Sequence, residues 1–112
     1  MLNESLKLPC GAVIKNRLVK AAMTERLSYD GLPNERHLKL YEHWADTEAG
    51  LLITGNVLID QQHLESAGNI VIDANTKSNQ LVKWTKAARK NGCHIWAQVS
   101  HSGRQTTRFV NS

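Results

Sequence analysis

Two short stretches carry side chains whose types and placing could do chemistry together. Gln98, His101, Gly103 and Arg104 follow the apolar run Ile95-Trp96-Ala97, and Thr24 closes a second mostly apolar run, residues 18–23. That is how a buried parallel strand reads when its C-terminal end opens onto a site: the apolar part fills a sheet or barrel, and the polar part faces a ligand. The Ser102-Gly103-Arg104 turn could also receive an anion through its backbone amides. Taken singly, each residue has a plainer reading. Thr24 can be an ordinary strand-end hydroxyl, Gln98 a satisfied core amide and His101 a structural imidazole.

Other chemistries find less support. His37, His43, His63 and His94 are scattered, and neither HExxH nor a Cys/His spacing is present, so no metal site is expected. The two cysteines, Cys10 and Cys93, form no CxxC pair. That argues against a disulfide framework and for a reducing, cytoplasmic setting. Cys93 opens an apolar run and reads as an inert core thiol. The 112 residues carry a formal net charge of +4, with the cations spread along the chain rather than gathered in a patch. Only 5% of residues are aromatic. No nucleic-acid partner is expected from that pattern. No run approaches membrane-spanning length, and the first nine residues contain no apolar signal core.

The elements that must position these groups follow in order. Residues 6–14 alternate around Pro9-Cys10-Gly11 and predict two short strands joined by a tight turn. Residues 18–23 predict the first long strand, and Asp30-Gly31 and Pro33 punctuate the loop after it. Asn34 is placed to cap a helix in which Leu38, Tyr41, Trp44 and Ala45 share a face, with Gly50 as its stop. Residues 51–54 predict a second strand ending at Gly55-Asn56. Residues 69–73 suggest a small extra strand. A second helix is expected over residues 77–91, with Gly92 at its end. Residues 94–99 make the third strand. The tail, residues 105–112, has no pattern.

Strand, helix, strand, helix, strand with short connections implies parallel strands joined by right-handed crossovers. A doubly wound nucleotide-binding sheet would want a Gly-rich turn after its first strand, and none occurs before Gly31. A barrel would want polar residues at several C-terminal strand ends, and Thr24, Thr54-Gly55-Asn56 and Gln98 meet that demand. The fold expected is therefore α/β, the N-terminal part of a (β/α)8 TIM barrel with about three strands and two helices. A whole barrel takes ~250 residues, so the chain is expected to be an incomplete portion of one, spanning residues 1–112. Such a portion would have open strand edges and could associate with itself.

Three stretches together resemble the old yellow enzyme family, the flavin-dependent NAD(P)H ene-reductases with their 2,4-dienoyl-CoA reductase relatives. Lys15-Asn16-Arg17 through Ala22-Met23-Thr24 is similar to the family's KNRxxxxPMT first strand. Tyr41 through Asn56 is similar to its Y-x-x-x-A…G-L-x-x-T segment. Gln98 through Arg104 is similar to QLxHxGR. The resemblance runs over roughly residues 6 to 107. It implies an FMN-binding barrel in which NAD(P)H reduces the flavin and the flavin reduces an activated alkene. It further implies that Ala22 and Met23 meet the ring through backbone, that Thr24 faces its O4/N5 edge, and that Gly55 and Asn56 lie nearby. Gln98 would bond the pyrimidine edge, since an amide offers both donor and acceptor, and Arg104 would brace its loop. Ala22 stands where many members have proline, and Arg26 where some subclasses have an aromatic residue. The family's substrate-binding pair, its proton-donating tyrosine and its phosphate-binding groups correspond to no position here, so no catalytic residue is assigned. The alternative expectation is a truncated, non-catalytic remnant or interaction module of the same fold.

Overall fold

The chain begins with a hairpin. β1 (Leu6–Lys7) and β2 (Val13–Ile14) pair antiparallel, with Leu6 opposite Ile14. β3 (Val19–Lys20), α1 (Glu35–Asp46), β4 (Leu51–Leu58), β5 (Ile70–Val71), α2 (Ser78–Ala88) and β6 (His94–Ser100) follow. The computed structural model describes residues 1–105, and the patternless tail falls outside the described residues. β3, β4, β5 and β6 form one sheet in which every pairing is parallel.

β4 is the central strand. β6 runs along one edge of it, from Leu51 opposite His94 to Leu58 opposite Ser100. The other edge is divided: β3 pairs with Leu51 and Leu52, and β5 with Val57 and Leu58. Between them, residues 53–56 have no strand beside them on that edge. The two helices pack on one face of the sheet. Tyr41 of α1 and Trp84 of α2 meet edge to face with centroids 5.3 Å apart, over a core that includes Leu52, Val57, Ala88 and Cys93. Pairs of this geometry add roughly 0.5–1.5 kcal/mol beyond area burial.

α1 starts where expected, with a reciprocal cap. The Arg36 N–H donates to Asn34 Oδ1 at 2.9 Å, and the Asn34 N–H donates to His37 Nδ1 at 3.1 Å. His37, Tyr41 and Ala45 then form its buried stripe. Its end differs from expectation. Glu48, not Gly50, takes the left-handed conformation after the last turn, with φ +66°. Gly50 answers a different constraint. A Cβ there would lie 2.7 Å from Ile14 Cγ2 and 2.8 Å from the Asn16 carbonyl oxygen, so the hairpin lies directly against it.

Two strands also depart from expectation. β3 is only Val19–Lys20, because residues 21–24 leave the ladder and cross over β4. β4 does not end at Gly55-Asn56 but continues through them to Leu58. The continuation contains a bulge: Ile53 pairs with Trp96 but Asn56 with Gln98, so Thr54 and Gly55 together face Ala97. One extra residue reverses the alternation of a strand. Leu52 lies on the helix side before the bulge, and Val57 does so after it. Asn56 is thereby turned to the opposite face. The small strand expected within residues 69–73 is β5.

Leu52 is fully buried at the centre of this packing, whereas Val82 on α2 is 47% exposed. Leu52→Ala is expected to cost about 3 kcal/mol of unfolding free energy, and Val82→Ala no more than about 0.5 kcal/mol. Urea unfolding of the two variants followed by circular dichroism checks the contrast.

Candidate functional site

The site lies where β4 and β6 reach their C-terminal ends. Its geometry begins with the stretch of β4 between β3 and β5 that has no strand beside it. Side chains of residues 20–25 take the place of a strand there. Lys20 Nζ donates to the Ile53 carbonyl at 2.9 Å. The Gly55 N–H donates to Glu25 Oε1 at 3.4 Å, and the Asn56 N–H donates to Thr24 Oγ1 at 3.3 Å. Two successive N–H groups on one edge are what the bulge produces, and buried donors need partners.

Gly55 is what lets this segment lie so close. A Cβ at position 55 would stand 2.5 Å from both the Met23 carbonyl oxygen and Thr24 Cα, and those are backbone atoms that cannot swing aside. On the other edge of β4, the Gln98 N–H donates to Thr54 Oγ1 at 3.0 Å, and the Thr54 hydroxyl donates to the Gly55 carbonyl at 2.8 Å. The bulge is thus bridged by one buried hydroxyl.

These bonds bring the residues singled out in the sequence together. Asn56 and Gln98 are register partners on neighbouring strands, and Thr24 is bonded to the backbone of Asn56. Ile95 and Ala97 line a cleft under α2 with Trp84, so the strand's alternation puts Gln98 on the face away from the helices. The Gln98 side chain is exposed, that of Asn56 half-buried, and neither amide group has a hydrogen-bond partner among the described residues. Thr24 Oγ1 accepts from Asn56 and keeps its proton available to donate. Ala22 is half-buried and Met23 is 55% exposed beside them. Gly55 is buried beneath residues 23–25. Arg104 stands apart, exposed in a short helical turn with no bond holding it among the described residues.

The sequence did not single out Glu25 or Lys20. Tyr41 is fully buried and its hydroxyl donates to Glu25 Oε1, the same oxygen that receives the Gly55 N–H. Burial, then the bond and charge of Glu25, push the Tyr41 hydroxyl far above the ordinary tyrosine value. The Lys20 ammonium sits 4.0 Å from the Trp44 ring centroid. Desolvation pulls its pKa below the usual lysine value, and Glu25 partly opposes that. A charged residue directly after Thr24 was the only sequence signal available, and nothing in spacing linked it to a tyrosine sixteen positions on.

A parallel sheet with helices on one face and polar groups at the C-terminal strand ends defines the class first. It is part of a TIM barrel, and solved old yellow enzyme structures share it. The old yellow enzyme from Trypanosoma cruzi superposes on 97% of the chain with a TM-score of 0.85 and 26% identity, the chain covering 29% of that structure. Morphinone reductase in complex with tetrahydroNAD superposes on 99% of the chain with a TM-score of 0.86, the chain covering 30% of it; at 22% identity it shows the fold alone. In sequence, the chain is 36% identical over 105 residues to the NADH-dependent flavin oxidoreductase iliE of Hypocrea jecorina. That match takes in 89% of the chain and 26% of the relative, so the chain spans about a quarter of it. The profile of the NADH:flavin oxidoreductase / NADH oxidase family matches residues 6–110, and the chain belongs to that family.

The Tyr41–Glu25 bond has a pH signature. A raised folded-state pKa means the unfolded chain releases the tyrosine proton first, from about pH 10 upward, so this contribution is intact below that pH and is lost above it. Lys20 acts in the opposite sense just below its ordinary 10.5, because its folded form loses the proton first. The comparison is therefore between wild type and Tyr41→Phe. Denaturant titrations from pH 8 to 11 should show wild-type stability falling more steeply with alkali than that of Tyr41→Phe. Parallel slopes would show that neither burial nor the Glu25 bond holds the Tyr41 proton in the folded chain.

Proposed function

We propose that this chain supplies the ring-facing part of the FMN site in a longer NAD(P)H-dependent flavin oxidoreductase of the ene-reductase type, acting on an activated alkene. Residues 1–112 are read as the N-terminal portion of its FMN-binding TIM-barrel domain. One observation carries the reading: Thr24, Asn56 and Gln98 converge on one face of the sheet end, with two free amide groups and one free hydroxyl proton. That donor and acceptor set fits the edge of an isoalloxazine ring, which presents both kinds of group. Family membership and the flavin oxidoreductase names of the relatives support it.

When bound, FMN supplies the relay of hydride from NAD(P)H to the β-carbon of the alkene. The chain's residues bind and tune. Gln98 bonds the pyrimidine edge through both ends of its amide. Thr24, its oxygen already engaged by Asn56, directs its proton at the O4/N5 edge and favours the more negative, reduced ring. Ala22 and Met23 would meet the ring through backbone. Gly55 acts indirectly, by admitting residues 23–25 against β4. Asn56, turned to this face by the bulge, completes the polar set. Phosphate binding, substrate activation and proton donation fall to chain beyond this sequence. A cytoplasmic location, with neither nucleic acid nor membrane as partner, belongs to the same reading. Among the described residues no helix is long and apolar enough to cross a membrane.

A second reading, a non-catalytic interaction module that associates with itself, is favoured by Trp96 and Val99 of β6, which are 47% and 65% exposed. A soluble monomer with cooperative melting would count against it.

The ring-site reading is tested by titrating riboflavin, which lacks the phosphate, and FMN into the chain while following backbone amide resonances. The expected result is shifts at residues 22–24, 56 and 98 with both flavins, weakened about tenfold or more in Gln98→Ala, the loss of a hydrogen-bonded anchor. No shifts with either flavin, shifts elsewhere, or undiminished binding by Gln98→Ala would overturn it.

A further inference from the structure

A second group of ligand-type side chains gathers at the same end of the sheet, outside the Thr24–Asn56–Gln98 set. Asp60 and His63 lie in the loop after β4, and His101 follows β6 directly. The pairing of Leu58 with Ser100 sets these two strand ends side by side. Ser102, only 6% exposed, ties the loops together by donating its hydroxyl to the His63 carbonyl at 2.8 Å. The Gln62 N–H donates to Asp60 Oδ1 at 2.8 Å, which leaves Oδ2 facing His63 Nδ1 at 2.6 Å. The His63 and His101 rings stand 5.1 Å apart and 31° from parallel. One ligand atom from each of the three residues lies within 4.8 Å of the others.

We propose that Asp60, His63 and His101 form a site for a zinc-class divalent cation. Two imidazoles and a carboxylate are a donor set that borderline dications take, with bonds of roughly 2.0–2.2 Å. Ligand atoms around such an ion stand roughly 3–3.5 Å apart. The set therefore has to close by a small movement, and the exposed His101 supplies it. His101 Nδ1 now accepts from the Gly103 N–H at 3.0 Å, a short local bond that the metal displaces or that the ring releases as it turns. Asp60 Oδ2 has two uses: it can ligate directly, or it can keep the Nδ1 proton of His63 and leave Nε2 to the metal. In either case the site needs both loops, and the open side leaves water on the remaining positions. A plain Asp60–His63 surface ion pair accounts for two members but gives His101 no reason to stand against them. The proposal does not depend on flavin.

The test is titration of zinc(II) alone into the chain against a chromophoric chelator, with cobalt(II) absorption as a geometric readout. One saturable site per chain is expected. His101→Gln and Asp60→Asn should each weaken it about tenfold or more, while His43→Gln, an exposed histidine elsewhere, should leave it unchanged. His101 is exposed, so its replacement does not threaten the fold. Absence of saturable binding, or equal binding by His101→Gln and the wild type, would overturn the proposal.

Discussion

The structure turns on a gap in hydrogen bonding. β4 is flanked on one edge by two short strands that leave residues 53–56 between them without a backbone partner. Left bare, the Ile53 carbonyl and the Gly55 and Asn56 N–H groups would have no protein partner along this edge. Each unmet group costs on the order of 1–3 kcal/mol. Lys20, Glu25 and Thr24 meet them instead, at 2.9, 3.4 and 3.3 Å. The sheet's own need for partners thus fixes the position of the hydroxyl on which the proposed ring contact depends.

That arrangement reaches back into the core. The Glu25 oxygen that receives the Gly55 N–H also receives the Tyr41 hydroxyl, and Tyr41 packs edge to face on Trp44 and Trp84. A partly buried carboxylate is tolerable because it is hydrogen-bonded from two sides. The ammonium of Lys20 lies over Trp44 and recovers some of its lost hydration from the ring face. The helices therefore position the loop that carries Thr24 as well as covering the sheet. On the far edge Thr54 bridges the bulge, and the bulge turns Asn56 to the side of Gln98. Loop, bulge and helix face depend on one another, and Gly55 is the point at which they touch.

Local pattern was enough for much of this. Asn34 as a cap, the Tyr41 and Ala45 stripe, the apolar runs of β4 and β6, and polar residues at their ends were all legible, since each follows from periodicity or chain-local chemistry. The departures share one cause: contacts between residues distant in sequence. β3 stops after Lys20 because residues 21–24 are drawn over β4, and no local signal in Ala21-Ala22-Met23 marks that. Gly50 looked like a helix stop but is small because Ile14 and Asn16 press on it. Gly55 looked like a strand end but marks a bulge, whose effect on alternation shows only against β6. Glu25 and the Asp60, His63 and His101 group were illegible for the same reason, since their partners come from other elements. That Thr24, Asn56 and Gln98 stand together is seen in the structure; the resemblance had named all three as an expectation, while their residue types alone left Thr24 and Gln98 a plainer reading.

The account's central claim is that side chains, not a strand, hold the edge of β4 and so place Thr24. Amide hydrogen exchange on wild type and Thr24→Val tests it directly, because valine keeps the shape and removes the acceptor. The Asn56 amide should be protected in the wild type and lose most of that protection in Thr24→Val, while the Leu52 amide, paired within the sheet, keeps its own. Equal protection of Asn56 in both proteins would contradict the account, since the edge would then be held by something other than the Thr24 hydroxyl.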